Sequence, residues 1–120
     1  MEILYIEGTE ETPKIILDKQ KGTFEISGRS LIEASSEFYK PVLKWIAAYS
    51  KDPNATTHCI FKLEYINTAT AKSILDVLSA FEHIKDMKVA WYFHEDDEDM
   101  EEMGEEFSEL VEIPFEFITY

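Results

Sequence analysis

The 120-residue sequence predicts an α/β fold: a mixed sheet of five or six strands with about three helices packed against it. Two observations indicate this class. Short β-rich segments separated by glycine and proline fill the start of the chain, and strand and helix patterns then alternate over the rest of it. Hydrophobic residues make up 45% of the chain, enough to bury one core, so we expect a single domain over residues 1–120.

Three short strands and a helix are predicted in the first half. The strand segments are rich in β-branched and aromatic residues and span Ile3–Ile6, Lys14–Leu17 and Thr23–Ser27, the last two as a hairpin. Apolar residues then recur at helical spacing over about Ile32–Tyr49, and this stripe includes Trp45. Pro41 interrupts it, so we expect the regular helix to start close before Pro41 or to be kinked there.

The second half alternates strands and helices. Thr57–Ile66 is apolar enough for a central strand, and the helix after it, about Thr70 to Ile84, carries a clean apolar stripe. Lys88–Phe93 is a second apolar strand, and Ile113–Ile118 is a final strand whose Pro114 favours a sheet edge. The helices should begin near residues 34, 69 and 96, and both tryptophans, Trp45 and Trp91, should lie in the core.

Acidic residues dominate the charge of the chain. The formal net charge is −14, which argues against nucleic acid or an anionic membrane as a partner and favours a basic protein. Residues 95–109 contribute much of this charge and contain no lysine or arginine. An amphipathic helix is predicted there, because its apolar residues recur at helical spacing, as Met100, Met103, Phe107 and Leu110. No signal peptide or membrane span is recognisable, so we expect a cytoplasmic protein.

Enzymatic motifs are missing from the sequence. The single cysteine, Cys59, lies in an apolar run typical of a buried free thiol, and no glycine-rich phosphate loop or nucleophile spacing occurs. We therefore expect no enzyme, cofactor or metal. One alternative stays open: His94 and the acids after it could form a small metal or catalytic site. Acidic residues in the first turn of a helix also simply complement its dipole.

The junction of the central strand with the next helix is the most informative segment. Asn67-Thr68 stands where the strand pattern gives way to the helix pattern, which places a threonine hydroxyl at a helix N-terminus. A phosphate on Thr68 would meet unpaired backbone N–H groups and the positive end of the helix dipole. A plain N-cap explains the same threonine, because a hydroxyl there satisfies one N–H group.

Several motifs, taken in order, resemble the SiaC-type regulatory phosphoproteins of bacteria, a family similar in fold to the STAS class of anti-sigma-factor antagonists. The resemblance covers nearly the whole chain. It rests on Gly8-Thr9, Thr12-Pro13, Ile15, Gly28-Arg29-Ser30, Trp45, Leu63–Thr68, Trp91-Tyr92, Glu95–Met100, Gly104–Leu110 and Ile113–Phe117.

The resemblance implies a non-enzymatic phosphorylation switch. In the family, a serine/threonine kinase of the histidine-kinase-like ATPase type phosphorylates the threonine of an Asn-Thr-Ser-Ser pattern, and a PP2C-type phosphatase reverses this. The acceptor here would be Thr68, with Asn67, Thr70 and Lys72 flanking the partner contact. In some members the unphosphorylated protein activates a diguanylate cyclase, which links the switch to cyclic-di-GMP signalling and biofilm formation.

This sequence departs from the family pattern at two places. It reads Asn67-Thr68-Ala69-Thr70, so Thr70 is a second candidate acceptor, and Ile32 stands where proline is expected. The Ile32 change should leave the switch unaffected. A constitutive interaction domain in which Thr68 is only a cap remains an alternative to the switch.

Overall fold

A computed structural model describes residues 1–120 and confirms the predicted class, a mixed six-stranded sheet with three helices. None of the three helices has the length and apolar composition needed to cross a membrane. In chain order the elements are β1 (Leu4–Ile6), β2 (Lys14–Asp18), β3 (Thr23–Ser30), α1 (Ser35–Tyr49), β4 (Thr57–Ile66), α2 (Thr68–Phe81), β5 (Met87–Phe93), α3 (Glu98–Leu110) and β6 (Phe115–Thr119).

The strands lie in the sheet in the same order as in the chain. β1, β2 and β3 pair antiparallel, and β3, β4, β5 and β6 pair parallel, each parallel pair being joined by one helix. The β3–β4 ladder has an irregularity: Gly28 pairs with Leu63 and Arg29 with Tyr65, so Glu64 is skipped. Gly28 has a φ of +102°, a conformation that glycine adopts without the steric cost of a side chain.

One face of the sheet carries the core. Along β4 the side chains of Cys59, Phe61 and Leu63 are buried, whereas those of His58 and Lys62 on the other face are exposed. Sequential parallel strands with right-handed crossovers place their helices on the same side, which explains the alternation. The predicted stripe of α2 is buried at Ile74, Val77, Leu78 and Phe81, but the helix ends at Phe81 and not near Ile84 as predicted.

Both tryptophans lie in the core, as predicted, with 9% of Trp45 and 1% of Trp91 exposed. Pro41 lies inside α1, which begins six residues earlier at Ser35 and continues to Tyr49. Its ring is on the exposed side of the helix. The helix therefore accommodates a proline beyond its first turn, with the residue pointing away from the core.

The acidic helix α3 is amphipathic, as predicted, but its buried stripe is shorter. Met100 and Phe107 are buried, whereas Leu110 is 64% exposed, so its assignment to the stripe was wrong. A position ten residues on lies about 80° round the helix from Met100, and Leu110 is also the last helical residue. Val111 and Ile113, both buried, fill the space beyond it.

A glycine lets α3 approach the sheet closely. A Cβ at Gly104 would lie 2.5 Å from Trp91 Cδ1, closer than any real contact. The indole Nε1 of Trp91 donates a hydrogen bond of 3.0 Å to the Met100 carbonyl in the same helix. Gly104 therefore provides the space in which the Trp91 ring packs and its indole N–H reaches a hydrogen-bond acceptor.

Candidate functional site

The β4–α2 corner is organised by Asn67. Its Oδ1 accepts a hydrogen bond of 2.9 Å from the Thr70 N–H, so Asn67 is the N-cap of α2. Its own N–H donates to the Ser30 carbonyl at 3.2 Å, and its Nδ2 donates to the Ile32 carbonyl at 3.3 Å. The assignment of the cap to Thr68 was therefore wrong: the residue before it has this role.

The position that departs from the family pattern, Ile32, touches this cap through its backbone carbonyl. Every residue type has a carbonyl there. The contact with Asn67 is therefore compatible with the change from proline.

Thr68 is the first residue of α2, and its side chain is exposed. The hydrogen bonds that build the corner run through Asn67, Ser30, Ser35 and Thr70, and none involves the Thr68 hydroxyl. The N–H groups of Thr68 and Ala69 precede the first intrahelical hydrogen bond, so α2 leaves them without a helical partner. The corner thus presents a free hydroxyl beside free backbone donors.

Thr70 is fully buried and lies beneath the corner. The Ser30 hydroxyl donates to Thr70 Oγ1 at 3.2 Å, and the Tyr39 hydroxyl lies 3.1 Å from Ser30 Oγ. Burial raises the pKa of Tyr39 to about 12, against the lowering effect of its hydrogen bond to Ser30, so Tyr39 stays protonated at neutral pH. The prediction that Thr70 flanks a partner contact is inconsistent with this burial, and the same burial keeps its hydroxyl away from a kinase in this conformation.

A second set of hydroxyls ties the start of α1 to the start of α2. Ser35 Oγ donates to the Ala69 carbonyl at 2.9 Å, and Ser73 Oγ donates to Ser35 Oγ at 2.9 Å. The sequence analysis missed Ser30, Tyr39, Ser35 and Ser73. Ser30 had one signal, its place in the Gly28-Arg29-Ser30 motif. The others lie in helices where a buried hydroxyl has no pattern of its own.

The helix turn that carries Thr68 has no acidic residue of its own. The first turn of α2 contains no Asp or Glu, whereas that of α3 contains three acidic residues. Lys72 is exposed and follows Thr68 by four residues, so the two side chains share a face of the helix. The three ion pairs of the structure involve other lysines, which leaves the Lys72 ammonium free.

The residues of the alternative metal site do not form one. His94 is exposed and its ring packs against Tyr120, with 4.1 Å between the ring centroids. Asp97 caps α3, its Oδ1 accepting from the Met100 N–H at 3.0 Å. Nowhere do three or more His, Cys, Asp or Glu side chains come together as metal ligands. Cys59 is buried, as predicted, and burial raises the pKa of its thiol, which disfavours the reactive thiolate.

Comparisons with known proteins agree with the fold. A family model described as "SiaC family regulatory phosphoprotein" matches residues 6–120. An uncharacterized protein of Pseudomonas aeruginosa strain UCBPP-PA14 is 30% identical over 119 residues, covering 96% of this chain and 94% of that protein.

Two solved structures are also similar. The crystal structure of apo-SiaC from Pseudomonas aeruginosa is 31% identical, with a TM-score of 0.84, covering 99% of this chain and 100% of that one. In the crystal structure of diguanylate cyclase SiaD in complex with its activator SiaC, from the same organism, the matching chain is 29% identical with a TM-score of 0.87, and the match covers 98% of this chain and 99% of that one. The chain therefore belongs to the SiaC family of regulatory phosphoproteins.

Proposed function

We propose that this protein is a non-enzymatic switch that is controlled by phosphorylation of Thr68. The observation that carries the proposal is the exposure of a hydroxyl that has no structural role. Asn67 caps the helix, so Thr68 is free of that task, and the only other hydroxyl candidate of the pattern, Thr70, is buried. A kinase can therefore reach Thr68 without opening the fold.

The corner also suits the phosphorylated form of Thr68. A phosphate carries about −1.5 to −2 charges at neutral pH, and the N–H groups of Thr68 and Ala69 are free to donate to it. The positive end of the α2 dipole favours negative charge at this position, and the Lys72 ammonium is one helical turn away. These groups stabilise phosphothreonine without any rearrangement of the helix.

The switch acts through binding. In the unphosphorylated protein the neutral hydroxyl of Thr68 adds no charge to a docked surface. A phosphate at the same place is strongly hydrated, and burying it against a partner costs its hydration and repels any carboxylate opposite it. We therefore assign partner binding to the unphosphorylated form and release to the phosphorylated form, with Asn67 and Lys72 beside the contact.

The partners follow from membership in the family. We assign phosphorylation to a serine/threonine kinase of the histidine-kinase-like ATPase type, and dephosphorylation to a PP2C-type phosphatase, both acting in the cytoplasm. A diguanylate cyclase is the proposed target. The complex of SiaD with its activator SiaC supports this assignment, because this chain shares the fold of that activator over nearly its whole length. Control of such a cyclase would connect Thr68 to cyclic-di-GMP signalling and biofilm formation.

Coexpression with the cognate kinase, followed by mass spectrometry of the intact protein and its peptides, tests the acceptor. We expect one phosphate, on Thr68, no phosphate on Thr68→Ala, and one phosphate on Thr68→Ser. Thr70→Val serves as the matched control because it removes the other hydroxyl of the pattern and should still be phosphorylated. Phosphate found on a different residue of the wild-type protein would contradict the assignment.

Affinity capture from the source organism tests whether charge at residue 68 changes which partners bind. Thr68→Ala should retain the partners of the unphosphorylated form, and Thr68→Asp should lose at least one of them. A diguanylate cyclase among the proteins lost would identify the target. If both variants captured the same proteins in the same amounts, Thr68 would not be a switch, and a constitutive interaction domain would be the better description.

A further inference from the structure

An apolar groove lies between the end of β4 and the first turns of α3, and nothing in the proposed switch explains it. Its volume is about 360 Å³. Four apolar side chains line it: Met100 and Ile66 are buried, Met103 is half-buried, and Tyr65 is 51% exposed. An exposed tyrosine and a partly exposed methionine side by side leave apolar surface in contact with water.

The backbone of β4 turns Tyr65 outward. In a regular strand Tyr65 would share the buried face with Phe61 and Leu63, because side chains alternate. The β3–β4 register skips Glu64, so β4 bulges there, and both Glu64 and Tyr65 are exposed. Bulges of this kind re-aim side chains near functional sites, and here the bulge places an aromatic ring at the mouth of the groove.

The rim of the groove is negatively charged. Glu64, Asp97 and Asp99 complete its lining, and none of them takes part in an ion pair. The exposed face of α3 continues the negative surface, because residues 95–109 contain no lysine or arginine. The groove is thus an apolar floor within an acidic border, and its complement is an apolar side chain flanked by positive charge.

From this complementarity we infer that the groove binds a basic amphipathic helix of a partner protein, in which one apolar side chain enters between Tyr65 and Met103 and lysine or arginine residues contact the acidic rim. Methionine suits such a floor because its unbranched, polarisable side chain adapts to different apolar groups. A helix presents one apolar row with basic residues on both sides of it, which matches the arrangement of floor and rim. This docking does not require phosphorylation of Thr68, although Ile66 places the groove next to the switch.

Methyl NMR tests the inference directly. The protein has four methionines, at positions 1, 87, 100 and 103, so ¹³C-methyl labelling gives four assignable signals. The probe is a synthetic lysine–leucine peptide with helical spacing of its leucines, and the control is a peptide of the same composition in scrambled order. We expect the amphipathic peptide to shift the signals of Met100 and Met103, leave those of Met1 and Met87 unchanged, and bind at least tenfold more tightly than the scrambled peptide.

Variants locate the contact. Tyr65→Asn and Met103→Gln should each weaken peptide binding by tenfold or more, whereas Leu110→Gln, at the exposed end of the same acidic helix, should not. Thr68→Ala should bind the peptide as tightly as the wild type does. Peptide binding to the groove is thereby tested independently of whether Thr68 is phosphorylated. Equal binding of the two peptides, or shifts confined to Met1 or Met87, would overturn the inference, because either would show attraction to the net charge alone. Circular dichroism of each variant confirms that it is folded.

Discussion

Phosphorylation of Thr68 should stabilise the fold slightly. The phosphate adds negative charge at the first residue of α2, where the helix dipole favours it by about 0.3–1 kcal/mol. Pairing with Lys72, four residues later, adds about 0.2–0.5 kcal/mol. The free energy of unfolding should therefore rise by about 0.5–1.5 kcal/mol. The net charge of −14 opposes this, but exposed charges beyond about 8 Å are largely screened at physiological salt.

The corresponding shift of the melting temperature is measurable. Unfolding entropy is about 2.1 cal/mol/K per residue, so for 120 residues 1 kcal/mol corresponds to about 4 °C. Differential scanning calorimetry of fully phosphorylated and unphosphorylated protein should show an increase of about 2–6 °C. In Lys72→Gln the increase should be smaller by about 1–2 °C, and the difference from wild type should shrink in about 1 M salt.

Lys85→Gln is the matched control, because Lys85 is also exposed and unpaired but follows the other end of α2. It should leave the phosphate effect unchanged. A melting temperature that fell by several degrees on phosphorylation would refute the reasoning. It would mean that the phosphate disorders the start of α2 and that the switch works by local unfolding.

Three further variants test the structure of the corner and the core. Asn67→Ala should lower the free energy of unfolding by about 1–2 kcal/mol in urea titrations, because it removes the cap of α2. Asn67→Asp should lower it less, because aspartate keeps the cap and loses only the hydrogen bond to the Ile32 carbonyl. Gly104→Ala should lower the free energy of unfolding by about 1–3 kcal/mol, although alanine has the better helix propensity, and should change the near-ultraviolet circular dichroism of Trp91. An unchanged or higher free energy of unfolding would contradict the close approach of α3 to Trp91. The folded state holds the Tyr39 proton more tightly than the unfolded chain, with a pKa of about 12 against 10.0. The free energy of unfolding should therefore fall by about 2 kcal/mol as the pH rises from 10 to 12, and that of Tyr39→Phe should fall less over the same range.

The fold class was predictable because its signals are periodic and local. Thr57–Ile66 has the bounds predicted from its apolar residues, and the stripes of α1 and α2 are continuous enough to fix their buried faces. Strand ends were less predictable. β3 continues to Ser30, beyond its predicted end at Ser27, because Gly28 accommodates an irregularity within the ladder.

The site was predictable only as a region. Asn and Thr are both good N-caps, so the sequence could not decide whether Asn67 or Thr68 caps the helix. That one-residue difference determines whether the Thr68 hydroxyl is free. The burial of Thr70 depends on Ser30, forty residues earlier, and no local pattern reports such a contact. The outward turn of Tyr65 depends on the partner strand in the same way.

The order of the strands has a consequence for how the protein forms during synthesis. Because the sheet is assembled in chain order, every strand that leaves the ribosome finds its neighbour already made, and no position has to be kept open for a later segment. Each addition closes only one loop, of hairpin or strand–helix–strand length, which keeps the entropy of each step small. β6 pairs with β5 and follows the acidic helix α3 in the chain, so the nascent sheet exposes the edge of β5 until α3 has been made and β6 arrives to cover that edge.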